Sequence, residues 1–450
     1  MSAPTAKDSF PPGLNNAFFF ATFNALSFQV VLGSPMLLYA KSLGASATVL
    51  GLLTGMTPLL VIFQIPAASY INRVGYKRFV YAGWGVRVAL IFVLALVPLG
   101  RGFLDAATRL VLILALLFGF NLSRGISSAG WLPWISSLVP AQVRGRYLSR
   151  EAGVVNVSCF ASTVLAALIL GPAPRPWQFT LIFLYSAVAG AVSLAFLKRI
   201  PEGTPPGDQS QSTGAVPWLA MLNFAPFKKL LLMVLVWAAA YGGMQAFAVV
   251  YLKEAAAMSE AKVLLVNSIF FLGGFCSLWF LGSRLDGLGS KPVLTFSFAI
   301  WLLVQAGWTM LAGGALTAGL ALVIGLQFLM GLFAALVQMS NTRLVMAIAP
   351  VMGRNHFFAL FSVVLSVTQG LAPIAWGILI DAVGPRRAGW AGLDWNNFTI
   401  FFAAVGAVLV VALVLARRLE EPEAASLDKL LREILVDSPQ RVLVRLWQKE

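Results

Sequence analysis

The chain has 450 residues, of which 59% are hydrophobic and 11% are charged, and its formal net charge is +15. A soluble globular domain carries about a quarter charged residues, so this composition excludes that class and indicates an integral membrane protein. The positive charge does not indicate a nucleic-acid partner, because Lys and Arg stand in small groups between apolar runs. We therefore expect contact with a lipid bilayer and a small-molecule substrate, and no nucleic acid.

Twelve apolar segments follow a short polar N-terminal tail, residues 1–14. Each is long enough to cross a bilayer core of roughly 30 Å, which needs about 20 helical residues. Because the runs are continuous, they favour helices over strands. The first run is too long for a signal-peptide core, so it is predicted to be the first membrane span. The predicted spans, numbered 1 to 12, are 15–38, 46–69, 79–99, 109–139, 152–171, 178–198, 229–251, 261–282, 293–312, 315–348, 357–381 and 398–416.

The connection between spans 6 and 7, residues 199–228, is rich in Pro, Gly, Ser and Gln and is predicted to be a flexible linker. It divides the chain into two six-helix bundles, 15–198 and 229–416. Connections on the linker's side carry more Lys and Arg than those on the opposite side. The linker and both termini are therefore predicted to be cytoplasmic, in a bacterial inner (plasma) membrane.

The C-terminal tail, residues 417–450, contains apolar residues at helical spacing between charges. This pattern predicts an amphipathic helix on the cytoplasmic membrane face, with partner binding as the alternative. Its apolar residues are Leu427, Leu430, Leu431 and Ile434.

Two loops recur in both halves of the chain. The loop after span 2 (residues 68–78) has the spacing of the loop after span 8 (282–291), and the loop after span 4 (140–147) has that of the loop after span 10 (350–357). Two loops repeated in register indicate internally repeated halves. Their candidate gating residues are Asn72, Arg73, Gly75, Lys77, Arg78, Arg144, Gly145, Arg146, Asp286, Gly289, Lys291 and Arg354.

In these loops the chain resembles the major facilitator superfamily, which carries G-x-x-x-D-R-x-G-R-R and R-G-R sequences there. The resemblance implies an all-α membrane protein with two pseudo-symmetric six-helix bundles around a cavity that opens alternately to each side. It places spans 1, 4, 7 and 10 at the cavity and assigns the loops to closure of the cytoplasmic side. Asn72 replaces the family's acidic residue, whereas Asp286 retains it. Alternatively, the basic loop residues serve only topology.

Residues for enzyme chemistry are scarce. The sequence has no G-x-x-x-x-G-K-[ST] phosphate loop, a single histidine, His356, in a predicted cytoplasmic turn, and two cysteines, Cys159 and Cys276, in apolar runs. These residues offer neither a catalytic centre nor a metal site. We therefore expect no enzyme activity and no cofactor.

The 17 acidic residues lie in tails, loops or at span ends, as Glu151, Glu254 and Asp381 do. Proton-coupled carriers commonly use a carboxylate inside the membrane that gains and loses a proton. Uniport or exchange is therefore favoured over proton symport. Glu151, at the start of span 5, is the acid whose depth tests this interpretation.

Arg124 lies near the middle of span 4, too far from either end for its side chain to reach an interface. Asn121, Arg124, Ser128 and Trp131 recur every three or four residues and share one helix face. A guanidinium in a bilayer needs a partner, and its planar fork suits carboxylate, phosphate or sulfonate. We therefore predict that Arg124 binds an anionic or hydroxyl-rich group of the substrate. The alternative is a structural arginine bound to a neighbouring helix.

If the family fold holds, residues of the other cavity spans join Arg124, unless they merely tie helices together. These are Asn24, Ser27, Trp237, Tyr241, Gln245, Gln327, Gln338 and Asn341. Arg87, in span 3, is predicted instead to form a structural ion pair or a packed polar contact, and Arg343 to reach the interface by snorkelling.

The sequence thus predicts a monomeric secondary transporter that moves a small organic solute by alternating access. One alternative is a broad-specificity efflux transporter of apolar compounds, although the glycine-proline signature of family antiporters is not evident in span 5. Another is a transport-inactive receptor or scaffold that uses the C-terminal helix.

Overall fold

The computed structural model describes residues 11, 13–139, 141–202, 218–281, 289–348, 354–419 and 421, with the side chains of 72, 141–145, 218–220, 278–281 and 354–355 outside the description. Within these residues, twelve helices are long and apolar enough to cross a membrane, as the sequence predicts. Most of the predicted linker, Asp286 and the predicted amphipathic helix lie outside the described residues.

The twelve spans consist of one or two helices each. Their helices are Asn15–Leu32 and Ser34–Ser42 (span 1), Ala47–Leu59 and Gln64–Val74 (span 2), Tyr76–Leu96 (span 3), Ala106–Leu138 (span 4), Ala141–Leu170 (span 5), Pro176–Arg199 (span 6), Ala225–Tyr241 and Met244–Glu254 (span 7), Glu260–Leu281 (span 8), Ser290–Ala312 (span 9), Leu320–Ile348 (span 10), Arg354–Val383 (span 11) and Asn397–Arg417 (span 12). Shorter elements are the helix Trp218–Asn223, the 3-10 turns Leu60–Phe63 and Val97–Gly102, and the strands β1 (Ala388–Trp390) and β2 (Leu393–Trp395).

Most predicted boundaries agree with the structure to within a few residues. Span 5 differs, because its helix begins at Ala141 although its apolar run begins about ten residues later. Polar residues there continue the helix beyond the hydrophobic segment, which a search for apolar runs does not detect.

The connection between spans 11 and 12 forms a small antiparallel hairpin that the sequence interpretation did not predict. Trp390 pairs with Leu393, and the two residues between them, Ala391 and Gly392, both have positive φ angles of 53° and 74°. Positive φ at both central positions is typical of a two-residue type I′ turn.

The first span of each half is interrupted. Span 1 breaks at Gly33, and Pro35 follows at the start of its second helix, where its missing N–H costs no helical hydrogen bond. Span 7 breaks before Met244, where Gly243 adopts the left-handed conformation with φ of 83°. Glycine takes this conformation without the steric cost of a Cβ.

The contacts among helices repeat between the halves. In the N-terminal half span 6 packs against spans 1 and 3, and span 3 packs against span 4. In the C-terminal half span 12 packs against spans 7 and 9, and span 9 packs against span 10. The two halves therefore have the pseudo-symmetric packing that the repeated loops predict.

Contacts among the helices divide the chain into two compact units. The first unit contains the six N-terminal spans together with Gly242–Phe271 and Ser366–Arg386 from the second half of the sequence. The second contains the first helix of span 7, the rest of span 8, spans 9 and 10, the start of span 11, and span 12. The predicted bundles, 15–198 and 229–416, are continuous stretches of the sequence. The two compact units are defined by contacts between residues, so their bounds differ from those of the bundles.

Candidate functional site

Arg124 lies near the middle of span 4, and its side chain is half-buried in the first unit. Its Nη1 atom is buried and has no hydrogen-bond partner among the described residues. One turn further along the helix, the hydroxyl of Ser128 donates to the carbonyl of Gly125 at 2.9 Å. The Ser128 hydroxyl is therefore bonded to a backbone carbonyl of its own helix, whereas the Arg124 guanidinium has a donor without a partner among the described residues.

Arg87 of span 3 is the second arginine of this region, and only 4% of it is exposed. Its guanidinium carbon lies 4.6 Å from the centroid of the Trp84 ring and 4.7 Å from that of Phe120. These distances allow cation–π attraction to both rings. Its Nε and Nη1 atoms have no partner in the described part of the chain. The predicted packed contact is therefore present, and it is made with aromatic rings.

Spans 3 and 4 approach closely beside these arginines. A Cβ added to Gly83 would lie 2.3 Å from Cβ of Ser127, and the Ser123 hydroxyl donates to the Gly83 carbonyl at 2.9 Å. Glycine at this position therefore sets the distance between the two helices.

This approach places Arg87 beside Arg124. Phe120, which Arg87 contacts, lies one helical turn before Arg124 on the same face of span 4. Like charges on neighbouring helices repel each other, most strongly where water is excluded. We call Arg87, Arg124, Trp84 and Phe120 the arginine cluster.

Trp131 and Asn24, two of the predicted site residues, lie against this cluster. The Trp131 ring packs against Phe20 at 4.7 Å and against Trp84 at 6.3 Å. The indole N–H of Trp84 donates to Oδ1 of Asn24 at 3.1 Å. Asn24 therefore fixes the orientation of one ring that contacts Arg87.

Glu151 has its carboxylate beside the indole of Trp131. It is five residues beyond the exposed Arg146 in the helix of span 5, which corresponds to about 7.5 Å at 1.5 Å per residue. It forms no ion pair with a described Arg or Lys. Glu151 is thus the eleventh of the thirty residues of this helix, one aromatic residue away from the arginine cluster.

Two other predicted site residues of the first unit join helices to each other. Asn121 is buried, and its carbonyl oxygen accepts from Thr57 of span 2 at 3.0 Å. Ser27 is also buried, and its backbone carbonyl accepts from the hydroxyl of Ser186 in span 6 at 2.7 Å. Both therefore make contacts between helices in this structure.

In the second unit, Trp237 stacks on Tyr241 with ring centroids 5.2 Å apart and packs edge-on against Trp301 at 5.3 Å. Gln327 and Asn341 are buried, and neither side-chain amide has a hydrogen-bond partner among the described residues. Unpartnered buried amides are uncommon in folded proteins, so both side chains stay candidates for binding a polar solute. Gln338 is exposed, so its side chain does not join them.

Spans 2 and 11 cross within the first unit at small residues. A Cβ added to Gly51 would lie 2.2 Å from the carbonyl oxygen of Pro373, and one added to Gly55 would lie 2.3 Å from that of Gly370. Glycines four residues apart allow such close backbone approach between membrane helices. The contacts of spans 1 and 2 with spans 7, 8 and 11 in this unit are called the seal.

Polar contacts accompany this crossing. Lys41 pairs with Glu254 at 2.5 Å, and the Asn267 amide donates to the Ser34 hydroxyl at 2.8 Å. Gln245, which the sequence predicts as a substrate ligand, donates to Asn267 at 3.4 Å. Gln245 is therefore part of the seal in this structure.

The loops on the opposite side keep their repeat in three dimensions. Gly75 and Gly289 occupy equivalent positions with nearly equal backbone angles, φ of 84° and 83° and ψ of 151° and 161°. Arg73, Arg78 and Arg146 are exposed, and Lys77 and Lys291 are half-buried. The structure does not describe the remaining predicted gating residues. These are the side chains of Asn72, Arg144 and Arg354, the surroundings of Gly145, and all of Asp286.

Arg343 of span 10 forms an ion pair that the sequence interpretation did not predict. Its Nη1 lies 3.2 Å from Oε1 of Glu421, which follows span 12. The same carboxylate accepts from the backbone N–H groups of Ser290 and Lys291 at the start of span 9, at 2.8 and 2.7 Å. A carboxylate at a helix N-terminus is favourable. Arg343 thus forms an ion pair within the second unit.

Comparison with protein families gives a match to the model of the Major Facilitator Superfamily over residues 17–312 and 243–447. A search of curated proteins gave no significant match. The described residues contain no group of three or more His, Cys, Asp or Glu that could hold a metal ion.

Solved structures share the fold at low sequence identity. The D-xylose-proton symporter has a TM-score of 0.72 at 14% identity, covering 91% of this chain and 98% of that chain. A mutant of the nucleoside transporter NupG gives 0.68 at 13%, covering 91% and 99%. The inward open conformation of the xylose transporter XylE from E. coli gives 0.68 at 14%, covering 91% and 96%. At these identities the likeness shows the fold alone.

Proposed function

Because the chain belongs to the Major Facilitator Superfamily and is a multi-pass transporter of small solutes, we propose that its solute is organic and carries an anionic group that binds Arg124. The observation that supports this is the buried Nη1 atom of Arg124, which has no partner among the described residues. A charged side chain inside a membrane costs at least about 2.5 kcal/mol on insertion scales, so it needs a compensating partner. An anionic substrate supplies that partner when it binds.

The transport mode we propose is uniport or exchange by alternating access, with the protein acting as a monomer. We favour this over proton symport because Glu151, the eleventh of the thirty residues of the span 5 helix, precedes the apolar run that begins at residue 152. The seal supports alternating access, because it combines spans from both halves of the sequence at one side of the membrane. We further propose cytoplasmic termini and a bacterial inner membrane, on the distribution of Lys and Arg.

The test uses purified protein in liposomes and a panel of organic anions, sugars and lipophilic cations. We expect an anion to be transported, Arg124→Gln to abolish that transport, and Arg124→Lys to retain part of the affinity without the bidentate geometry. The matched control is Arg101→Gln, which removes an exposed arginine near the end of span 3 and is expected to leave transport unchanged.

The outcomes separate the alternatives. Normal anion transport by Arg124→Gln, with unchanged yield and melting temperature, contradicts the proposal. Transport of sugars but no anions indicates that the donors bind hydroxyl groups. Transport of lipophilic compounds alone indicates the efflux alternative, and no transport of any compound supports the receptor or scaffold alternative.

A further inference from the structure

We propose that the arginine cluster is a two-charge site, in which Arg87 and Arg124 together hold a compact dianionic group of the solute, the charge state of a phosphate monoester. The inference rests on the proposed function and names its substrate class. It also assigns to Arg87 a role in specificity that the sequence interpretation did not give it.

The first argument concerns unused donors. Three buried guanidinium nitrogens, Nε and Nη1 of Arg87 and Nη1 of Arg124, have no partner among the described residues. Arg87 contacts Phe120, which precedes Arg124 by one turn of span 4, and the two arginines come from two tightly packed helices. A tetrahedral dianion offers several acceptor oxygens, so it can bind donors from both sides at once.

The second argument concerns charge. Arginine stays protonated in proteins, so the cluster carries two positive charges, which repel each other most strongly where water is excluded. A monoanion would compensate one of them, whereas a dianion compensates both. Glu151 lies beside Trp131, and the ring of Trp131 separates it from Trp84 and the arginine pair. The pair therefore has no carboxylate of its own in the described part of the chain.

Aromatic rings hold the Arg87 guanidinium in place. Trp84 and Phe120 each contact the Arg87 guanidinium, and Asn24 holds Trp84 in place. Cation–π contacts offset part of the cost of burying this charge. Arg87 can therefore stay in position without a ligand, and its donor atoms remain available when the solute arrives.

The experiment measures equilibrium binding to the purified full-length protein by calorimetry at constant ionic strength. The probes are sulfate, a dianion, and methanesulfonate, a monoanion of similar shape, because neither titrates near neutral pH. We expect sulfate to bind about tenfold more tightly than methanesulfonate, as charge-assisted hydrogen bonds to a second guanidinium would give. In Arg87→Gln we expect this ratio to fall below about threefold while methanesulfonate still binds.

Controls keep the result interpretable. Arg101→Gln should leave both affinities unchanged, and Arg87→Lys, which keeps the charge, should retain more of the sulfate preference than Arg87→Gln. If Arg87→Gln does not fold, the ratios in the parent and in Arg87→Lys decide. A parent ratio near one overturns the inference, and so does an unchanged ratio in a folded Arg87→Gln.

The same data distinguish this inference from the proposed function. If both anions bind equally and Arg124→Gln abolishes both, Arg124 is an anion ligand and only the two-charge site is wrong. If neither anion binds and Arg124→Gln transports the solute normally, the proposed function and the two-charge site are both wrong.

Discussion

The carboxylate of Asp381, at the end of span 11, caps the first helix of span 2 at Thr48. It accepts from the backbone N–H and the hydroxyl of Thr48 at 2.8 and 2.6 Å, and from the backbone N–H of Ala47 at 3.0 Å. A carboxylate is favourable at a helix N-terminus, where backbone N–H groups lack helical partners. A side chain from the second half of the sequence therefore caps a helix of the first half, and this contact is part of the seal.

Asp381→Asn is expected to favour opening of the seal by about 1–2 kcal/mol, because the amide keeps one acceptor but loses the charge and the second carboxylate oxygen. The measurement is the rate at which a membrane-impermeant maleimide labels a cysteine at Leu50, a buried residue next to Gly51, after Cys159 and Cys276 are replaced. Labelling should become faster in the variant.

The matched control for this change is Asp105→Asn. Asp105 also caps a helix, since it accepts from the backbone N–H of Thr108 at 3.1 Å, but both residues belong to the start of span 4. Loss of this cap should leave Leu50→Cys labelling unchanged. Equal acceleration by both substitutions would mean that general helix destabilisation, and not the seal, is being measured.

Gly55→Ala is expected to keep spans 2 and 11 apart, because the new Cβ would overlap the carbonyl oxygen of Gly370. Overpacking of this kind typically costs about 1–3 kcal/mol. We expect faster labelling of Leu50→Cys and a lower transport rate, measured in liposomes. Gly85→Ala in span 3 is the control, since a Cβ there meets no atom within 4 Å. Normal closure and transport in Gly55→Ala would contradict the close crossing.

Transport is expected to continue when the proton gradient is dissipated. Glu151 precedes the apolar run of span 5 that begins at residue 152 and lies beside Trp131, so we do not expect it to carry a proton across the membrane. The measurement is solute exchange in liposomes with and without an uncoupler, in the parent and in Glu151→Gln. If the uncoupler stops concentrative uptake and Glu151→Gln transports without coupling, proton symport replaces the proposed mode.

Glu421→Gln is expected to destabilise the second unit by about 1–3 kcal/mol, since it removes the charge that binds Arg343 and the start of span 9. The measurement is the unfolding midpoint of purified protein. Glu202→Gln, at an exposed position after span 6, is the control. An unchanged midpoint in Glu421→Gln would show that the ion pair contributes little to stability.

The sequence predicts the spans well because crossing a bilayer imposes a length and an apolar composition that local inspection detects. It also predicts that Arg124 lies inside span 4, since a charged residue amid apolar residues is easily recognised. It does not predict that Arg87 lies beside Arg124, because that neighbourhood depends on the approach of spans 3 and 4 at Gly83 and Ser127.

Long-range partners are the part that sequence inspection misses. Asp381 is correctly predicted at the end of span 11, yet its partner Thr48 is 333 residues away, and no local pattern connects them. Ser27 lies on a cavity-lining span in the family fold, but its contact with Ser186 depends on how that helix is rotated.

The first compact unit is built from segments on both sides of the linker, so its assembly does not require an unbroken chain. Segments Gly242–Phe271 and Ser366–Arg386 follow the linker in sequence but belong to the unit built from the six spans that precede it. A protease cut between spans 6 and 7 would therefore not release two separate particles. The two fragments should purify together, and two half-genes expressed side by side should yield an assembled carrier.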